Sequence, residues 1–183
     1  MPPRRRARAV VERRAANAEI SDPSLVLAAA LRFLEARPRS TAEVRRRLVT
    51  HGYRADLVEG CVARLLDLGV LDDEAFARGW VESRDRARPR GERALRSELA
   101  RKGIERSLTH VVLEERGQER PDADADAARR VLARHESMLA RVTDPRARRQ
   151  RAYALLARNG FDSESAIAAI RCLIDDELTE PEP

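Results

Sequence analysis

Apolar residues along this chain recur mainly at spacings of three and four, and few runs alternate at a spacing of two. Residues three and four apart share one face of a helix, so the pattern predicts amphipathic helices and argues against a sheet. The predicted helices cover residues 23–36, 41–51, 55–68, 73–87, 91–102, 105–116, 123–141, 145–159 and 163–178. The predicted fold class is therefore all-α.

The motif Leu-x-x-x-Gly followed by an apolar residue recurs at three similarly spaced positions in the sequence. Its glycines are Gly52, Gly103 and Gly160, which lie 51 and 57 residues apart. Glycine often ends a helix because it enters the left-handed conformation without a Cβ clash. Gly69 and Gly117 are predicted to end the following helices in the same way. The spacing predicts tandem repeats of three helices each.

Residues that cap helices precede several of the predicted helices. Ser40 and Glu43 are spaced as a capping box, in which each side chain binds a backbone amide. Asp22 and Asp144 each precede a proline at the first helical position, and Asp72 is predicted to cap another helix. We divide the chain into a basic extension, three three-helix repeats and an acidic tail, at residues 1–21, 22–71, 72–117, 118–178 and 179–183. Both ends are expected to be mobile.

The charge of the chain leaves two interpretations open. Its formal net charge is +5 and its pI is near 10.1, which favours polyanionic partners such as nucleic acid. Arginine supplies nearly all of the positive charge, with Lys102 as the single lysine, and this bias also fits a genome of unusual base composition. Charged helix faces are often only solvated surface.

Cysteine usage and hydropathy suggest where the protein works. Cys61 and Cys172 are far apart, without the spacing of a metal site, so we expect neither a disulfide framework nor zinc, and no cofactor. A reducing cytoplasm fits best. No apolar run approaches the roughly 18 residues that cross a bilayer, and no apolar signal core follows the first arginines. We expect a protein that is neither secreted nor bound to a membrane.

An enzymatic function is not favoured by the sequence. The residues available for catalysis are two adjacent carboxylates and three dispersed histidines: Asp72, Asp73, His51, His110 and His135. The chain has no glycine-rich phosphate loop and no nucleophile elbow. Phe76 and Trp80 are four residues apart, which favours packing on one helix face over a platform for stacking bases.

Two phrases in the middle of the chain resemble the RecX family. Residues 69–77, Gly-Val-Leu-Asp-Asp-Glu-Ala-Phe-Ala, are similar to the junction of the first two RecX repeats, with its apolar-Asp-Asp-x-x-Phe-Ala phrase. Arg90 and Gly91 follow, and then residues 95–104, Leu-Arg-x-Glu-Leu-x-x-Lys-Gly-Ile, resemble the phrase of the second repeat. The resemblance is sharp from Ser24 to Glu115, and it continues by repeat phase alone to about Leu178.

This resemblance implies a regulatory protein of DNA recombination, DNA repair and the SOS response. It implies tandem three-helix repeats in an elongated, curved array that binds the RecA–DNA filament. The protein would then be a cytoplasmic monomer that modulates or inhibits the RecA ATPase and strand exchange, by capping or by disassembling filaments. The alternative is a helical protein that binds single- or double-stranded DNA directly, through arginines on phosphates and without RecA.

One predicted helix suggests how a partner is contacted. Leu95 and Leu99 form an apolar stripe, and Arg90, Arg93 and Arg101 fall on the opposite side at helical spacing. Further arginines surround the first and second repeats. The candidate residues for contact with RecA or DNA are Arg45, Arg46, Arg47, Arg84, Arg86, Arg88, Arg90, Arg93, Arg101 and Lys102. For each of them, solvation or an ion pair within the protein is the alternative.

Overall fold

The computed structural model describes the backbone of residues 3–179 and the side chains of residues 7–171. Within these residues the secondary structure is helical, without strands, which confirms the all-α fold class. The tail predicted at residues 179–183 lies outside the described residues beyond Thr179. The helices are α1 (Pro3–Ala18), α2 (Pro23–Glu35), α3 (Thr41–Thr50), α4 (Ala55–Asp67), α5 (Asp73–Ala87), α6 (Glu92–Lys102), α7 (Arg106–Glu119), α8 (Ala123–Ala133), α9 (Glu136–Ala140), α10 (Pro145–Arg158) and α11 (Ser163–Thr179).

Most predicted helices occur within three residues of their expected ends, but two details of the prediction are wrong. The helix predicted at 123–141 is broken into α8 and α9, because His135 leaves the helical conformation, with φ −115° and ψ 11°. The Nδ1 atom of His135 lies 2.8 Å from the carbonyl oxygen of Val131, so a local contact replaces the continuing helix. Gly117 does not end a helix, since α7 continues to Glu119.

The N-terminal helix α1 was not expected from the sequence, which suggested a mobile extension. Arginine and alanine, which dominate this segment, both favour helix. The end of α1 is also held in place, because the Asn17 side-chain amide donates a hydrogen bond to the carbonyl oxygen of His51 at 2.7 Å. Gly52, which follows His51, lies against the backbone of Arg14. The segment is therefore attached to the end of α3.

The described chain forms two compact units. Unit 1 extends from α1 to Phe76 and includes Lys102–Ile104, whereas unit 2 contains Ala77–Arg101 and continues from Glu105. The helices of the third expected repeat thus share a unit with most of the second. Among the described residues, no helix is both long enough and apolar enough to span a membrane.

The core of unit 1 is built by α2, α3 and α4, the helices predicted for the first repeat. The capping box of α3 is confirmed, because Ser40 Oγ accepts from the Glu43 amide and Glu43 accepts from the Ser40 amide. Cys61 is buried in this core, and burial raises the pKa of its thiol. The core residues are Val26, Ala30, Val44, Leu48, Val58, Cys61, Leu65 and Leu71.

The core of unit 2 contains residues from α8, α9, α10 and α11. Small residues such as Ala127 and Ala128 let these helices approach closely, and Leu132 and Leu156 fill the space between them. Asp144 caps α10 by accepting hydrogen bonds from the amides of residues 146 and 147, as the sequence predicts. Other helices of the unit are joined by a buried ion pair between Asp85 and Arg116.

Glu43 gives unit 1 a carboxylate that is sensitive to acid. Its side chain is 11% exposed and lies 2.7 Å from the Lys102 ammonium nitrogen. Burial alone would raise the pKa of Glu43, but Lys102, the Ser40 amide and the charge of Arg37 together lower it below its ordinary value of 4.5. A carboxyl group with a lowered pKa in the folded state stabilises the protein above pH 4.5, and this stabilisation is lost as the pH falls through the lowered pKa.

We expect Glu43→Gln to destabilise the protein at neutral pH and to have a smaller effect in acid. The denaturation midpoint in urea, measured from pH 7 to pH 3 for both proteins, checks this. Glu35→Gln, which removes an exposed carboxyl group of α2, is the matched control. A stability difference between Glu43→Gln and wild type that stays constant over the whole range would contradict the expectation.

Candidate partner-contact surface

Helix α6 has the two faces that the sequence predicts. Leu95 and Leu99 are fully buried. Arg93 and Arg101 lie on the opposite side and are exposed, whereas Arg90, just before the helix, is half-buried. The apolar stripe therefore fixes the orientation of the helix in unit 2, and the arginine side is left to solvent or to a partner.

These three arginines line one groove, which has a volume of about 400 Å³. Its other wall comes from the end of α10 and from the glycine turn that follows. This wall adds Arg158, a candidate that the sequence analysis missed. The signal was present in the repeat, because Arg158 precedes Gly160 by two residues just as Arg101 precedes Gly103. The groove is lined by Arg90, Arg93, Ala94, Ser97, Glu98, Arg101, Ala157, Arg158 and Gly160.

The groove has a rigid end, since the start of α6 lies directly on the Gly160 turn. The amide of Gly91 donates to the carbonyl oxygen of Asn159 at 3.1 Å, and the amide of Arg93 donates to that of Gly160 at 3.2 Å. A Cβ atom on Gly91 would lie 2.4 Å from the backbone of Gly160. Glycine is therefore required here for the two backbones to meet.

Positive charge exceeds negative charge in the groove. Its single carboxylate, Glu98, already accepts hydrogen bonds from Trp80 Nε1 at 2.9 Å and Arg84 Nε at 2.6 Å. Arg90 is 3.8 Å from Glu98 and also donates to the side-chain oxygen of Asn159. Among the described residues, Arg93 and Arg158 have no carboxylate partner. The surplus of guanidinium groups suits an acidic group on a partner.

Three of the other candidate residues already form ion pairs with carboxylates of their own unit. Arg45 makes a bidentate pair with Glu59, at 2.7 and 2.9 Å. Arg84 stacks over the Trp80 ring at 4.3 Å besides its hydrogen bond to Glu98. Lys102 is 18% exposed and is paired with Glu43. Their contacts favour structural roles over contact with a partner.

The remaining candidates are exposed. Arg86 lies 3.7 Å from Glu82 one helical turn away, a contact too weak to hold it in place. Arg46 and Arg88 are exposed without a described ion pair. Arg47 is exposed as well, and its guanidinium lies 5.2 Å from the centre of the Phe33 ring.

The residues considered for catalysis are not assembled into a site. Asp72 accepts hydrogen bonds from the amides of residues 74 and 75 as the cap of α5, and Asp73 accepts one from the Thr41 amide. Within the described residues, no three side chains of the types that ligate metals form a cluster. Phe76 is buried, and Trp80 is half-buried on Glu98, as expected of packing residues. The histidines lie in separate places: His51 at the end of α3, His110 in α7 and His135 before α9.

Comparison with known proteins identifies the family. A family model described as the first three-helix domain of RecX matches residues 27–65, and one for the second three-helix domain matches residues 72–111. The regulatory protein RecX of Mycobacterium sp. (strain KMS) is 34% identical over 76% of this chain and 76% of its own length. That of Prosthecochloris aestuarii is 32% identical over 87% of this chain and 97% of its own length. The chain belongs to the RecX family.

Solved RecX structures share the fold. The crystal structure of RecX from Lactobacillus salivarius has a TM-score of 0.67 and 20% identity, and covers 82% of this chain and 96% of that one. A second RecX crystal structure has a TM-score of 0.69 and 22% identity, over 78% of this chain and 68% of that one. These comparisons confirm the resemblance to the RecX family drawn from residues 69–77 and 95–104.

Proposed function

We propose that this chain regulates the RecA recombinase by binding the RecA–DNA filament and lowering its ATPase and strand-exchange activities. The observation that carries the proposal is the arginine-lined groove of unit 2, in a chain whose relatives are named regulatory proteins. A groove with surplus positive charge and a rigid end suits an acidic segment on a protein surface, because charge complementarity steers and orients association.

The repeated helices support a filament as the partner. A filament presents the same surface many times, and a protein with several contact surfaces gains effective concentration once one of them is bound. Weak contacts at each subunit then add up to stable binding on the assembled filament, whereas a single RecA subunit offers fewer of them. We therefore expect the chain to bind the assembled filament more tightly than the free RecA subunit.

Binding alone accounts for regulation in this proposal, so we infer a protein without catalysis or cofactor that acts as a monomer in the cytoplasm. The alternative is direct DNA binding by the repeats without RecA. Between Glu19 and Phe76, outside α1, unit 1 carries eight arginines against ten acidic residues, so this part of the chain has no excess of basic residues. A protein that depends on phosphate contacts along all of its repeats would need such an excess in each of them.

The single-stranded-DNA-dependent ATPase of RecA tests the proposal, with RecA from the same organism and increasing amounts of the purified chain. We expect ATP turnover to fall at low ratios of the chain to RecA, and the chain to co-sediment with filaments. Unchanged turnover together with no co-sedimentation would overturn the regulatory function. Inhibition only at amounts that coat the free DNA would favour direct DNA binding instead.

Replacing Arg90, Arg93 and Arg101 together with alanine is expected to weaken filament binding about ten-fold, which corresponds to about 1.4 kcal/mol. The helix content should stay nearly unchanged, because the buried leucine stripe of α6 is intact. Co-sedimentation at constant ionic strength measures the binding, and circular dichroism checks the fold.

A control with the same change of charge separates the groove from a general loss of positive charge. Arg64, Arg96 and Arg106 lie outside the groove, and their replacement by alanine should leave filament binding within about two-fold. If the two triple variants lose binding equally, the groove is not the contact surface.

A further inference from the structure

Unit 1 contains a second group of arginines, gathered around one aromatic ring. The guanidinium carbon of Arg39 lies 4.1 Å from the centre of the Phe33 ring, and that of Arg47 lies 5.2 Å away. Such stacking holds a planar guanidinium by its face and leaves its N–H edge to meet an acceptor. We refer to Phe33, Arg37, Arg39 and Arg47 as the Phe33 cluster.

Arg39 lacks a hydrogen-bond acceptor that its position calls for. Its Nε atom is buried and has no partner within the described chain. A buried donor without an acceptor is uncommon in folded proteins and is destabilising, so it calls for an acceptor such as a bound water or an anion. Burial, together with the positive charges of Arg37 and Arg47, also lowers the pKa of Arg39. An anion beside the cluster would offset the repulsion between these guanidinium groups.

The nearest carboxylate does not supply that anion. Glu43 acts on Arg39 only through its charge, which opposes the lowering of the Arg39 pKa. Its oxygens are occupied by Lys102 at 2.7 Å, by the Ser40 amide at 3.4 Å and by Arg37 at 3.5 Å. Arg39 and Arg47 therefore carry two positive charges that no carboxylate of the described chain pairs with.

The basic surface continues from the cluster onto α1. Burial and the positive charges of Arg47 and Arg13 lower the pKa of His51, so both arginines lie near this side chain. Arg13 is exposed on α1, a helix of 16 residues that carries six arginines and one glutamate. Arg39 and Arg47 share the Phe33 ring, and Arg47 and Arg13 both act on His51, so these positive charges are neighbours in unit 1.

We propose that the Phe33 cluster, together with Arg13 on α1, forms a track that binds phosphate groups of a nucleic-acid backbone. Several neighbouring cations match a polymer with repeated phosphates better than they match one isolated carboxylate. The planar edge of a stacked guanidinium suits two oxygens of one phosphate. This inference goes beyond the proposed action on RecA and does not depend on it, because the track is in unit 1 and its test contains no recombinase.

Fluorescence anisotropy with labelled oligo(dT) and with a labelled duplex, at several salt concentrations, tests the proposal on the full chain. We expect Arg39→Gln combined with Arg47→Gln to weaken binding of single-stranded DNA about ten-fold at low salt. The slope of log affinity against log salt should fall by about 1.4, since each lost phosphate contact on a single strand contributes about 0.7. Comparison of the two probes shows whether the track prefers single or double strands.

A matched pair of substitutions controls for the lost charge. Arg45→Gln with Arg54→Gln removes the same two charges from unit 1, but at exposed arginines that already pair with Glu59 and Asp56. This control should weaken DNA binding less than about three-fold. Equal losses in both double variants, or a wild-type chain that does not bind either probe, would overturn the proposal.

Arg39→Lys separates a built site from mere positive charge. Lysine keeps the charge but has neither the planar edge nor the stacking on Phe33, so we expect a loss of several-fold even though the net charge is unchanged. Wild-type DNA affinity in Arg39→Lys would overturn the site. Intact DNA binding in the double variant Arg39→Gln with Arg47→Gln would also overturn it, and loss of binding to an acidic protein in that variant would indicate a protein partner instead. Thermal unfolding of every variant confirms that the fold is retained.

Discussion

Replacement of Arg116 by leucine is expected to lower the free energy of unfolding by about 3–5 kcal/mol. The Arg116 side chain is 9% exposed, and it bridges two carboxylates. Its Nη2 and Nε atoms lie 3.0 Å from the two oxygens of Asp85, and its Nη1 lies 2.7 Å from Asp124. Removing the guanidinium leaves two carboxylates close together, and the buried Asp85 side chain keeps, among the described residues, only a longer ion pair with Arg120, at 3.4 Å.

The size of the expected loss follows from what this ion pair connects. Asp85 is on α5, Arg116 on α7 and Asp124 on α8, and Asp124 also accepts a hydrogen bond from the Glu92 amide at the start of α6 at 2.9 Å. Burial alone would lower the pKa of Arg116, but its hydrogen bonds and charge interactions with Asp85 and Asp124 raise it. The bridge is thus charged and fully engaged in the folded state.

Urea denaturation followed by circular dichroism measures this loss. Arg96→Leu is the control, because Arg96 forms an exposed pair with Glu92 one helical turn away, and it should cost less than about 1 kcal/mol. Asp85→Asn combined with Arg116→Leu should be less damaging than the sum of the two single changes, since the buried carboxylate that has lost its main partner is then neutral. A loss below about 1 kcal/mol for Arg116→Leu would contradict a buried, structural bridge.

The features of the fold that depend on residues close together in the sequence could be predicted. The capping box of Ser40 and Glu43 and the glycine stops at Gly52, Gly69, Gly103 and Gly160 are local signals, and each glycine has the positive φ that a stop requires. The bridge at Arg116 could not be predicted, because Asp85 is 31 residues away in the sequence. No local signal distinguishes Arg116 from the other arginines of the chain. The helix α1 was missed because it has little apolar periodicity.

The candidate surface was predicted in part, for the same physical reason. Helical periodicity separates Arg93 and Arg101 from the buried leucines, so their position on the exposed side of α6 could be predicted. Periodicity does not bring distant helices together, so Arg158 was missed. It also does not show which arginines are already paired, as Arg84 is with Glu98 and Trp80. Arg39 was missed because its contact with Phe33 spans the connection between α2 and α3.

Gly103→Ala is expected to destabilise unit 1 by about 2–5 kcal/mol, for two reasons that add. Gly103 has φ +80°, a conformation that costs an alanine about 1–2 kcal/mol. A Cβ atom there would also lie 2.3 Å from the Cβ of Ala42, so one of the two must move. The close approach is supported by a hydrogen bond from Ser40 Oγ to the carbonyl oxygen of Lys102 at 2.6 Å.

The two causes can be separated by substitutions at four other positions, measured by urea denaturation. Gly69→Ala meets no atom within 4 Å and has φ +65°, so it should cost only the backbone part, about 1–2 kcal/mol. Ala42→Gly should recover much of the loss in Gly103→Ala, because the nearest remaining atom of residue 42 is then 3.8 Å away. Ala94→Gly should not recover Gly160→Ala, since there a Cβ also lies 2.4 Å from the backbone nitrogen of residue 94. Equal losses in the free energy of unfolding for Gly69→Ala and Gly103→Ala would mean that Ala42 moves aside with little strain. The close approach would then not require glycine at position 103.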